Sequence, residues 1–148
     1  MEGYEFALQT YWPAFVIIGA VSVLSVVYSI FMMKKMKKDV AKFKEENPDA
    51  AKILLTTKAF ITQEAVMIYS VDGEKPIKFS EKGKTGVYVK PGDRKIEVSY
   101  TYTRPGIMYR NVTKSTGAVQ KEVTVEPNRT YKIGFDRKAE EFIFEEVE

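Results

Sequence analysis

The sequence predicts one transmembrane α-helix followed by an all-β domain, an antiparallel β-sandwich of about seven strands. Three observations carry that expectation. Twenty consecutive residues from Ala14 to Met33 contain no charge. From Ala51 onward the apolar residues recur with a period of two instead of a helical period. Turn-forming pairs (Asp72-Gly73, Pro91-Gly92, Pro127-Asn128) separate the alternating runs. The division is residues 1–13 as a short N-terminal tail, 14–33 as the membrane helix, 34–50 as a juxtamembrane linker and 51–148 as the soluble domain.

A helix rises about 1.5 Å per residue, so the run AFVIIGAVSVLSVVYSIFMM spans a hydrocarbon core of about 30 Å. Tyr11 and Trp12 stand where amphipathic rings favour the membrane interface. Pro13 is expected in the helix's first turn, where its missing N–H costs little. The rival reading is a cleaved signal peptide, which needs a positive leading region and small residues at a cleavage site. Residues 1–13 instead carry Glu2 and Glu5 with no lysine or arginine, and Met32-Met33-Lys34-Lys35 lacks small residues. The segment is therefore expected to stay as an anchor in the lipid bilayer.

Positive charge beside a span marks its cytoplasmic side. The basic cluster Lys34, Lys35, Lys37 and Lys38 lies entirely C-terminal of the span, so the soluble domain is expected in the cytoplasm. Within the span, Gly19, Ser22, Ser25 and Ser29 form a small-residue stripe that would let two helices approach and form a homodimer. The alternative is that each serine bonds back to its own helix.

The linker KKMKKDVAKFKEENPDA begins basic and turns acidic. Met36, Val40 and Phe43 mark one apolar stripe, consistent with a helix that continues past the membrane surface until Pro48. Lysines beside that stripe could hold it on anionic headgroups, but three apolar residues are few, and a solvated stalk is the preferred reading.

In the domain, Ile96, Val98, Tyr100 and Tyr102 share one strand face, opposite Lys95, Glu97, Ser99 and Thr101. Val119, Val123 and Val125 repeat the pattern, as do Tyr131, Ile133 and Phe135. Further strand candidates are Ile53–Thr57, Val66–Val71, Ile77–Phe79, Gly86–Val89 and Glu141–Glu145. The segment Thr57–Ala65 could instead be a helical turn. Short strands with such punctuation suit a sandwich or a partly open barrel.

The succession IYSVDGEKPIKF, GVYVKPGDRKIEVSY and KEVTVEPNRTYKIGF resembles the PEGA-type β-sandwich domain over about residues 66–136. The shared residues Asp72, Gly73, Pro91, Gly92 and Pro127 are turn formers, so the resemblance speaks to fold and not to chemistry. It implies a non-catalytic accessory module that contacts carbohydrate or protein, often at the cell envelope. The chain departs from the family at its eponymous tetrapeptide, where Ser80–Gly86 stands, and at a longer insert, Thr103–Gly117.

That insert, TRPGIMYRNVTKSTG, gathers Arg104, Ile107, Met108, Tyr109, Arg110 and Lys114. It is the candidate partner-binding loop, able to grip an acidic segment, a headgroup or a glycan. The plainer alternative is a long hairpin whose Ile107 and Met108 cover the sandwich end. Asn111-Val112-Thr113 and Asn128-Arg129-Thr130 match the glycosylation pattern, which a cytoplasmic domain would not use.

Composition narrows the function classes. There is no cysteine and no histidine, which removes thiol chemistry, the common zinc sets and the usual general base. A net charge of +3 is too small to indicate a nucleic-acid binder. No catalytic site, metal or cofactor is expected. The expected function is a membrane-anchored interaction or scaffold domain with a protein partner; the alternative is an outward-facing envelope module that binds glycan or peptidoglycan.

Overall fold

The computed structural model describes residues 2–59, 62–106 and 110–147. It contains one helix, α1 (Glu2–Glu46), and ten strands among the described residues. The chain divides into two compact units, Met1–Lys38 and Asp39–Glu148.

In the first unit, α1 is long and apolar enough to cross a membrane. Every residue from Tyr11 to Asp39 is exposed, including Val23 at 64% and Leu24 at 68%. Helix begins at Glu2, so Pro13 lies inside it and not in its first turn, and residues 2–13 are helix where a tail was expected. Ser22 Oγ donates to the Ile18 carbonyl at 2.7 Å and Ser29 Oγ to that of Ser25 at 2.8 Å. These two hydroxyls bond back to their own helix. A side chain at Gly19 would meet nothing within 4 Å.

The second unit starts on the last turns of α1. Asn47 closes the helix by donating its backbone N–H (2.8 Å) and its side-chain amide (3.0 Å) to the Phe43 carbonyl. Pro48 follows, as the sequence indicates. Val40 and Phe43 are half-buried, with the Phe43 ring 6.5 Å from Tyr88 and Lys44 Nζ 5.0 Å from the same ring. The stripe read as a solvated stalk thus packs, at Phe43, on the domain's own sheet.

The strands are β1 (Ala51–Leu55), β2 (Thr57–Ala59), β3 (Gln63–Val71), β4 (Ile77–Glu81), β5 (Lys84–Val89), β6 (Gly92–Pro105), β7 (Asn111–Ser115), β8 (Val119–Val125), β9 (Thr130–Asp136) and β10 (Glu141–Glu146). One sheet runs β10-β9-β1-β5-β4; the other runs β2-β3-β6, with β8 and then β7 along the far side of β6. The helix-plus-sandwich class stands, with two corrections. There are ten strands and not about seven, because β2 occupies Thr57–Ala59 and β7 lies within the supposed loop Thr103–Gly117. The sheets are also not purely antiparallel, since β1 and β9 pair in parallel. Their separation in sequence frees that pair from the antiparallel constraint of a tight hairpin.

Ile53, Val87, Ile96, Val98 and Ile133 are fully buried, and they come from both inner faces. On the outer face of the first sheet, Phe79 and Tyr88 lie 4.7 Å apart. Gly86 is opposite Phe79, and a Cβ there would run into the Ile53 carbonyl oxygen and come within 2.7 Å of Phe79 Cζ. Gly86→Val should therefore lower stability by about 1–3 kcal/mol, the usual cost of overpacking, read from thermal unfolding of the full chain in neutral detergent. An unchanged midpoint would show that Phe79 and the strand shift freely. At the β4–β5 turn, Lys82 (φ 50°) and Gly83 (φ 76°) both take the left-handed conformation of a two-residue hairpin loop.

Two carboxylates hold neighbouring elements. Asp72 accepts from the Lys95 N–H at 2.9 Å and pairs with Arg94 at 3.0 Å. The Lys95 bond, aided by Arg94, holds its carboxyl below the usual range. Glu81 is lowered likewise, chiefly by the 3.0 Å bond from Lys52 Nζ. A depressed carboxylate adds stability that is present above its unfolded value, about 4, and is lost as pH falls through the folded value. The melting midpoint should thus fall below about pH 4, and the Asp72→Asn/Glu81→Gln pair should flatten that fall. An identical acid profile in the double variant would remove both groups from the account.

Candidate functional site

β6 is long enough to outrun the core. Along its inner face, Ile96 and Val98 are buried, Tyr100 is 6% exposed, Tyr102 is half-buried and Arg104 is exposed. The same face therefore changes from aliphatic to aromatic to cationic as the sandwich opens. β7 runs beside this stretch, with Lys114 opposite Tyr102 and Val112 opposite Arg104. Opposed residues on paired strands project to the same side, so Lys114 joins the Tyr102 face.

The other sheet completes a cleft of about 530 Å³, within the size range of ligand sites. Phe135 from β9 stacks on Tyr100 with centroids 4.4 Å apart and planes at 17°. Phe142 meets Phe135 edge-on at 5.0 Å. Arg137, in the β9–β10 turn, places its guanidinium 4.7 Å from the Tyr102 ring and 3.8 Å from Glu64. Glu140, in the same turn, adds a carboxylate. Ser115 and Thr116 line the β7 side, where Thr116 Oγ1 accepts from the Tyr100 N–H at 3.1 Å.

Among the described residues, neither Arg104 nor Lys114 has an acidic partner within ion-pair distance. The Tyr100 hydroxyl is closed to solvent and makes no well-formed hydrogen bond among the described residues; the Glu64 carboxylate is the acceptor beside it. Burial, with the negative charge of Glu64 second, raises this phenol above its ordinary value, so it stays a donor through neutral pH. The other buried hydroxyl in that condition, Thr56 Oγ1, lines a smaller cavity of about 190 Å³ that shares Tyr100 and Phe135 with the cleft.

Of the expected loop residues, the structure brings Arg104 and Lys114 together in the cleft and leaves Arg110 exposed just before β7. Ile107, Met108 and Tyr109 lie outside the described residues. Lys34, Lys35, Lys37 and Lys38 are exposed along α1. Sequence reasoning missed Phe135, Arg137 and Glu140 as site residues and placed Tyr100 and Tyr102 only as strand faces. One signal was available: the β6 alternation runs on past the aliphatic residues and ends in Tyr102 and Arg104.

Among the described residues, no group of three acidic side chains could hold a metal ion. No family profile, curated protein or solved structure matches the chain. The resemblance to PEGA-type domains thus rests on the turn residues alone.

Proposed function

We propose that this chain is a single-pass membrane protein whose helix anchors a non-catalytic β-sandwich and presents it to a partner at the cytoplasmic face. The carrying observation is the exposure of every residue from Tyr11 to Asp39 on a helix that is uncharged from Ala14 to Met33. Leaving such side chains in water costs about 1.5–3 kcal/mol for each large apolar residue, a cost that lipid removes. The four lysines that follow favour the cytoplasmic side for the domain. The cleft supports recognition, because it offers cations, aromatic walls and hydroxyls. Tethering would concentrate the domain at the bilayer, and pairing of two helices would double that presentation.

Alkaline carbonate extraction of membranes carrying the full chain tests the anchor. The chain should remain in the pellet with lipid. Release into the supernatant would contradict a spanning helix.

A further inference from the structure

We propose that Lys34, Lys35, Lys37 and Lys38 hold a shell of monoanionic phospholipids, such as phosphatidylserine, around the end of the span. The inference rests on the anchor reading and goes beyond it: the lysines that orient the helix during insertion bind lipid afterwards, in the folded protein.

Height comes first. Helix α1 runs without a break from the uncharged segment through all four lysines. With residues 14–33 filling a hydrocarbon core of about 30 Å, the headgroup layer adds roughly 5–7 Å beyond Met33. At about 1.5 Å per residue, residues 34–38 occupy about the first 7.5 Å past that boundary. The helix therefore sets all four charges at headgroup depth.

Direction and availability come second. At about 100° per residue, Lys37, Lys34, Lys38 and Lys35 follow one another around roughly 160° of the helix, with Met36 and Asp39 on the remaining side. All four lysines are exposed, and among the described residues none has a carboxylate within ion-pair distance. The lysines further along are engaged: Lys42 pairs with Glu46 at 3.8 Å, and Lys44 lies 5.0 Å from the centre of the Tyr88 ring. Asp39 is the one acidic residue between Ala14 and Phe43. Counting it, four lysines against one carboxylate leave a surplus of three positive charges in residues 34–39, enough for several monoanions.

The third observation is the kind of cation. Helix α1 contains lysines and no arginine. An arginine fork grips one phosphate in a fixed geometry, whereas a lysine is a hydrated point charge on a flexible stem. Four such charges along one side of a helix suit several mobile headgroups better than one shaped ligand. Each lysine near an anionic surface contributes about fivefold in affinity. Salt opposes this, because the screening length falls from about 8 Å at physiological ionic strength to about 3 Å at 1 M.

The test uses the full chain in phosphatidylcholine vesicles. Trp12 is the one tryptophan, so Trp12→Phe/Met33→Trp moves the fluorophore beside the cluster; Met33 is exposed on α1, and the helix should tolerate the change. Brominated phosphatidylserine or brominated phosphatidylcholine is placed in both leaflets at equal mole fraction as the quencher. The serine lipid should quench as though enriched at least about fivefold around the helix, and salt at about 1 M should remove half of that preference or more. Lys34→Gln/Lys35→Gln/Lys37→Gln/Lys38→Gln in the same background should abolish the preference and leave quenching by phosphatidylcholine unchanged, since the span is intact. Equal quenching by the two lipids overturns the proposal and leaves the anchor standing. So does a preference that the quadruple variant keeps or that salt leaves untouched. No quenching by either lipid overturns the anchor and this proposal with it. Soluble polyglutamate bound through these lysines, with no preference for phosphatidylserine, would overturn it too and assign the cluster to an acidic protein.

Discussion

Leu24→Arg together with Val27→Arg should prevent stable insertion of the chain. Both residues lie near the centre of the uncharged segment and are exposed along α1. An arginine at mid-span costs about 2.5–3.5 kcal/mol on insertion scales, so the pair removes on the order of 5–7 kcal/mol. They are one helical turn apart and share a face, so snorkelling to opposite interfaces cannot relieve both at once. The double variant should appear in the carbonate supernatant or be degraded, whereas Ser22→Ala, which removes a hydroxyl bonded within its own helix, should remain in the pellet. Full retention of the double arginine variant in the pellet would mean that something other than this span holds the chain to the membrane.

Val98→Asp should unfold the β domain. Val98 is fully buried at the middle of β6, the longest strand, where it stands opposite Ile68 of β3 and Val119 of β8. A carboxylate there either stays charged in an apolar interior or becomes neutral at the cost of a large pKa shift. Neither state finds a partner among Ile68, Ile96 and Val123, so the cost exceeds about 4 kcal/mol. Domains of this size hold only about 5–15 kcal/mol in total. Limited proteolysis should cleave the variant throughout residues 51–148 under conditions where the unaltered domain survives. On the outer face of the same sheet, Glu122→Gln breaks only the exposed pair with Lys95 and should change stability by at most about 1 kcal/mol. Equal resistance of the Val98→Asp variant would contradict the register of β6.

The strands that could be read from the sequence are those whose burial alternates. In β6, β8 and β9 the apolar residues sit on every second position because one face meets the core, and β4, β5 and β10 are bounded by turn residues. β2 carries no such mark: Thr57, Lys58 and Ala59 are all exposed, and only their pairing with β3 makes them strand. β7, with a single valine in Asn111–Ser115, is strand because β6 extends far enough to pair with it. The parallel β1–β9 contact is a choice of partner, which local periodicity does not encode. Only a small part of the candidate site was legible, for a related reason. Arg104 and Lys114 belong to one hairpin and stood out as a basic cluster, whereas Phe135 and Arg137 reach the cleft from the opposite sheet. Phe43 shows the reverse limit: a weak apolar stripe in a lysine-rich segment looked solvated until Tyr88 supplied the surface it packs on.

We propose that α1 holds the domain at the cytoplasmic face. The most direct measurement fuses a reporter active on only one side of the membrane after Glu148. Activity on the cytoplasmic side is the predicted result, set by Lys34, Lys35, Lys37 and Lys38. Activity on the outer side would contradict it and make the domain an outward-facing envelope module.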